Sequence, residues 1–78
     1  MLEKLFVDKR VKFVEISDLS KFAVRNTGYA VTVEARKGYH FDNVIKNGTK
    51  YEKNYFIVEG STIEEALENA YNKLRGFK

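Results

Sequence analysis

From the carboxyl end, the chain's apolar positions first fall into a helical rhythm. Ile63, Ala66, Leu67, Ala70, Tyr71 and Leu74 recur at spacings of three and four, which places them in one stripe along a helix. Ser61 with Glu64 matches a capping box, and Glu64 and Glu65 suit the positive helix start. Lys73 and Arg75 suit the negative end, and Gly76 offers a left-handed exit. The outer face presents Glu64, Glu65 and Glu68, where a DNA-reading helix needs Arg, Lys, Asn or Gln. The expected task of this helix is to close the core of its own fold.

Upstream the pattern shortens to strands. Tyr55 to Glu59 and Val11 to Ile16 ("VKFVEI") are rich in β-branched and aromatic residues. Tyr29 to Lys37 alternates, with Tyr29, Val31, Val33 and Ala35 on one face and Ala30, Thr32 and Glu34 on the other. Tyr55 to Glu59 is expected beside it.

Two readings compete for the residues before Tyr29, which begin with the turn-like cluster "SDLS" at 17 to 20. In the favoured one, Lys21 to Arg25 pairs with Tyr29 to Lys37 as a hairpin across Asn26-Thr27-Gly28. In the other, Asp18 to Arg25 forms a helical turn capped by Ser17, with Leu19, Phe22 and Ala23 inward. Residues 1 to 9 stay open. Met1, Leu2, Leu5 and Phe6 fit one helical face, while "KLFV" equally fits an edge strand.

Asn47-Gly48 is the strongest short hairpin signal, because a type I′ turn needs positive φ at both central residues. Gly38 to Lys53 is then either a long hairpin excursion or a loop; read as an ordinary solvated hairpin with no binding role, it would tuck Phe41 and Val44 or Ile45 into the core. Together these elements predict an α+β domain. An antiparallel sheet of three to four strands is covered on one face by the C-terminal helix.

Composition narrows the picture. The 78 residues include no Cys and no Pro, so disulfides and thiolate metal sites are excluded. No composition shift, repeat or linker divides the chain, and a single domain, 1–78, is expected. Stability must come from a small core in which six Phe and five Tyr supply much of the area, and a homodimer is a further route to burial. No run of 18 apolar residues exists, and "MLEKLFVDKR" lacks an apolar signal region. The expectation is a cytoplasmic protein with no membrane partner.

No catalytic set emerges, and the chain is expected not to be an enzyme. His40 is the only histidine, so with no Cys it cannot build a familiar zinc site, and no metal or cofactor is expected. Ser17, Ser20 or Ser61 with His40 and Asp42 has no spacing that favours a triad, and no Gly-x-Ser-x-Gly elbow is present. Adjacent Glu64 and Glu65 stand about 100° apart on a helix and cannot converge on one substrate.

The net charge of +3 can be carried entirely by residues 36 to 53, "RKGYHFDNVIKNGTKYEK". There Arg36, Lys37, Lys46, Lys50 and Lys53 interleave with Tyr39, His40, Phe41 and Tyr51. Rings beside basic groups suit a protein interface. They also suit single-stranded nucleic acid, whose phosphates meet charge while its bases stack. These nine residues are the candidate partner-binding set, with protein contact the expected use and nucleic acid the alternative.

One local resemblance exists. "FIVEGSTIEEALENA", residues 56 to 70, resembles the closing strand and helix of HicB-like antitoxin domains and of similar small phage-encoded proteins. The resemblance implies a βββα module that acts by occluding a partner protein, as an antitoxin-like inhibitor or a phage accessory protein does. Unlike those domains, this chain has no Pro before the closing strand.

Overall fold

The computed structural model describes residues 1–21 and 27–77, with the side chains of 42–44 left aside. Along the chain run α1 (Leu2–Val7), β1 (Val11–Asp18), a 3₁₀ turn (Leu19–Lys21), β2 (Tyr29–Ala35), β3 (Asp42–Lys46), β4 (Thr49–Lys53), β5 (Tyr55–Gly60) and α2 (Ile63–Gly76). Strands β1, β2 and β5 form an antiparallel sheet in the order β1-β2-β5, while β3 and β4 form a separate two-stranded hairpin. Helix α2 packs on one face of the three-stranded sheet, so the architecture is α+β, as expected.

The central strand shows why. Val31, Val33 and Ala35 are buried, and Tyr29 packs against the core they belong to. Val14 stands opposite Val33, and Phe56 opposite Val33 on the other side. Residues three apart in a strand normally point to opposite faces. Yet Val11 is fully buried and Val14 packs against the same core, because the register of β1 shifts between Val11 and Phe13. The bulge turns both valines inward.

The expected hairpin of Lys21 to Arg25 with Tyr29 to Lys37 is corrected. Both edges of β2 are taken, by β1 and by β5, and Lys21 lies in the 3₁₀ turn. Residues 22 to 26 lie outside those described. Of the competing helical reading, the described part is that short turn, and Asp18 rather than Ser17 caps it. The Asp18 Oδ1 accepts from the Ser20 backbone N–H at 3.0 Å. Residues 1 to 9 resolve in favour of the helix, with Leu5 fully buried.

Helix α2 keeps its stripe. Ala66, Leu67, Ala70 and Leu74 are buried and Tyr71 is half-buried, but Ile63 at the first turn is 41% exposed. Its cap is one residue later than the sequence suggests. The Thr62 hydroxyl accepts from the Glu65 N–H at 3.0 Å, and the Ser61 hydroxyl donates to the Glu65 carboxylate. The reason lies at Gly60. A Cβ there would run into the Ala66 backbone nitrogen and lie 2.8 Å from its Cα, so only glycine lets strand and helix touch. That contact fixes where the first turn begins. Gly76 does not supply a left-handed exit. It stays helical, and Phe77 leaves in an extended conformation, its N–H donating to the Leu74 carbonyl.

The exit is held by Arg10. Its guanidinium donates to both carboxylate oxygens of Asp8, at 3.0 and 2.8 Å. It also donates to the Phe77 carbonyl at 3.0 Å and the Leu74 carbonyl at 3.1 Å, which are acceptors left open at a helix end. Its plane lies 5.8 Å from the Phe41 ring centre. Phe41, Phe56 and Phe77 in turn form a triangle of rings with centroids 5.1 to 5.5 Å apart.

These contacts make three stability predictions, each read from urea-unfolding midpoints. Gly60→Ala should cost about 1–3 kcal/mol, as a misfitted methyl between two backbones does. Arg10→Ala should cost about 2–3 kcal/mol, because it strands Asp8 and two carbonyls together. The hydrogen bond from Arg10, more than its charge, holds the Asp8 carboxyl below the usual carboxylate range. The contribution of Asp8 is therefore complete above its unfolded value of about pH 4 and lost as pH falls through the lower folded value. Asp8→Asn should flatten that acid limb.

Candidate functional site

The segment rich in bases and rings becomes the β3–β4 hairpin and the turn that leads into it. Asn47 and Gly48 take φ of 53° and 77°, as a type I′ turn requires, and only Gly48 is the cost-free residue there. The hairpin pairs Val44 with Tyr51, Ile45 with Lys50 and Lys46 with Thr49. Residues paired across an antiparallel ladder share a face. Lys46, Thr49, Tyr51 and Lys53 therefore lie on one face, with Ile45, Lys50 and Glu52 on the other.

The nine expected contact residues do not form one surface. Phe41 is a correction: it is only 3% exposed, its ring packed on Phe56 and Phe77, so it anchors the hairpin and is not offered to a partner. Its N–H donates to the Lys53 carbonyl at 2.8 Å, which fixes the hairpin's base. Phe41 thus takes the place that the ordinary hairpin reading gave it; of the two aliphatic residues offered as alternatives beside it, Ile45 is 75% exposed and the Val44 side chain lies outside those described.

Arg36 is partly committed as well, because its Nε donates to the Val11 carbonyl at 3.1 Å. Lys37 and Tyr39 lie exposed in the turn, where the Tyr39 N–H donates to the Arg36 carbonyl at 3.0 Å. His40 Nδ1 stands 4.0 Å from a Glu52 carboxylate oxygen, and both side chains are exposed. Lys50 lies on the far face, beside Ile45.

Three of the set do converge. Lys46, Tyr51 and Lys53, with Asn47, line an open groove of about 520 Å³. Every residue of β4 is exposed, and Tyr51 shows 54% of its surface. A second, smaller groove of about 190 Å³ is lined by Lys53, Tyr55, Phe56, Ile57 and Lys73. The two meet at Lys53. Each of two lysines arches over a ring, Lys53 over Tyr55 at 5.3 Å and Lys73 over Phe56 at 5.6 Å. Ammonium groups held over rings beside an open groove suit an anionic group of a partner.

Tyr55, Ile57 and Lys73 were not singled out as contact residues by sequence. The first two read as strand and Lys73 as a helix end that complements the dipole. The exposure of Ile57, at 52%, depends on β5 being an edge strand with one face of its sheet uncovered by α2.

Among the described residues no group of three or more His, Cys, Asp or Glu side chains could hold a metal ion, and no helix is long and apolar enough to cross a membrane. No family model matches the sequence, and no curated protein or solved structure matches it.

Proposed function

We propose that this protein is a non-catalytic binding module that acts by covering a surface of a partner protein, in the manner of an antitoxin-like or phage-encoded inhibitor. The observation that carries the reading is the groove of Lys46, Tyr51 and Lys53 on a hairpin whose base is buried and whose face is bare. A hairpin held by Phe41 presents its outer residues with little ordering cost on binding, which favours affinity. An exposed Tyr is a residue type that protein interfaces concentrate at their centres, and the lysines beside it suit the polar rim.

Single-stranded nucleic acid is the less favoured partner. Burial of Phe41 removes one of the rings that bases would stack on, and Lys50 stands on the face away from Tyr51.

A photo-crosslinking residue placed at position 51 in the source cell tests this. The expected outcome is one discrete protein adduct, absent when the same residue is placed at position 68 on the outer face of α2. Lys46→Glu should weaken the adduct. Retardation of a labelled single-stranded oligonucleotide, lost steeply as salt rises, would assign the groove to nucleic acid instead.

A further inference from the structure

The backbone of β5 alternates between two sides. The Asn54 carbonyl accepts from the Ala35 N–H at 2.6 Å, toward β2. Its neighbour Lys53 points its carbonyl the other way, to the Phe41 N–H. At the far end, the Glu59 carbonyl accepts from the Asn69 side-chain amide at 2.9 Å, again away from β2. In an extended chain successive carbonyls alternate, so Tyr55 and Ile57 also direct their N–H and C=O groups away from the sheet. Between the hairpin at one end and Asn69 at the other, the described residues give these groups no strand to pair with. The edge is a short window with both ends closed.

We propose that this window receives an extended segment of a partner protein as an added strand, carrying two adjacent acidic residues at the Tyr55–Phe56 end. The proposal rests on the protein-binding reading above and names its mode and chemistry. Alternating donors and acceptors along an edge are matched by another polypeptide and not by a nucleic acid, whose backbone offers acceptors at a different spacing.

Charge decides the rest. On an added strand, neighbouring residues point to opposite faces. Tyr55 and Phe56 likewise point to opposite faces of β5, since Phe56 is buried under α2 and Tyr55 is exposed. A lysine reaches each face at this point, Lys53 beside Tyr55 and Lys73 beside Phe56. Two consecutive carboxylates therefore meet one ammonium group each. On the open face Glu34 is level with Tyr55 but one strand farther from the edge, on β2, and farther along come Glu15, by register with Thr32, and Glu59 on β5 itself, so a uniformly acidic strand is disfavoured. Beside exposed Ile57 the segment needs an apolar residue.

The test is nuclear magnetic resonance of the isotope-labelled full chain titrated with a capped hexapeptide, Thr-Val-Glu-Glu-Val-Thr, whose symmetry suits either strand direction. The amides of Tyr55 and Ile57 should shift and gain protection from hydrogen exchange. Lys73→Glu should weaken binding about tenfold. Ile57→Pro should abolish it while leaving the β2 ladder intact, because the lost N–H points outward. Should that variant not fold, a peptide N-methylated at alternate amides carries the same test with the unaltered protein. An unresponsive edge at millimolar peptide overturns the proposal, as does equal binding of Thr-Val-Lys-Lys-Val-Thr. Protection of the same amides by dimerisation of the protein alone gives the edge to a second copy and overturns it too. A position-51 adduct that persists in folded Ile57→Pro sinks strand addition and leaves the hairpin reading standing, whereas loss of every such adduct sinks the hairpin reading itself.

Discussion

The structure turns on what one guanidinium group holds together. Arg10 sits at the junction of α1 and β1, yet it reaches the last carbonyls of α2 and lies over Phe41 at the base of the hairpin. Only a planar fork with several donors makes those contacts at once; a lysine ammonium has neither the plane nor the reach in two directions. Asp8 fixes the fork by a two-pronged hydrogen bond, and both side chains are largely shielded from water. Three distant parts of the chain thereby share one anchor. The negative end of the α2 dipole gains a cation at the same point.

From that anchor the position of the candidate site follows. Phe41 is locked among Phe56, Phe77 and Arg10, so the hairpin leaves the domain at a fixed place. Its groove then joins the one beside β5, with Lys53 common to both. An open strand edge is a hazard for aggregation, and lysines and covering side chains are the usual protection. Lys53, Lys73 and the Asn69 amide protect β5 in this way. Protection by charge is selective: it repels a second basic edge and accepts an acidic one.

Much of the fold was legible because the signals are local. The stripe of α2 from Ala66 onward, the alternation of β2 and the Asn47-Gly48 turn each depend on residues close in sequence, and each took the expected form; Ile63, at the first turn, is the part of the stripe that did not. The errors came where a local rule had two neighbouring solutions. Ser61 and Thr62 are both competent caps, and the contact of Gly60 with Ala66 chose between them. Gly76 and Phe77 are both plausible exits, and Arg10, sixty-odd residues away, holds the second. The expected partner of β2 was taken from the nearest segment, but β1 has the longer run and, through its bulge, two inward valines.

For the candidate site the division is sharper. The sequence by itself determined that bases and rings concentrate between residues 36 and 53, and that a tight turn folds this segment back on itself. Tertiary structure decided which of them face outward. Phe41 and Tyr51 are both aromatic residues set among the same basic groups, and one is core while the other is surface. It also brought in Tyr55, Ile57 and Lys73, from a strand and a helix whose own patterns are fully explained by folding. The reason is physical: periodicity reports which side of an element is apolar, whereas exposure depends on whether another element covers that side, and that is settled only when distant segments compete for the same surface.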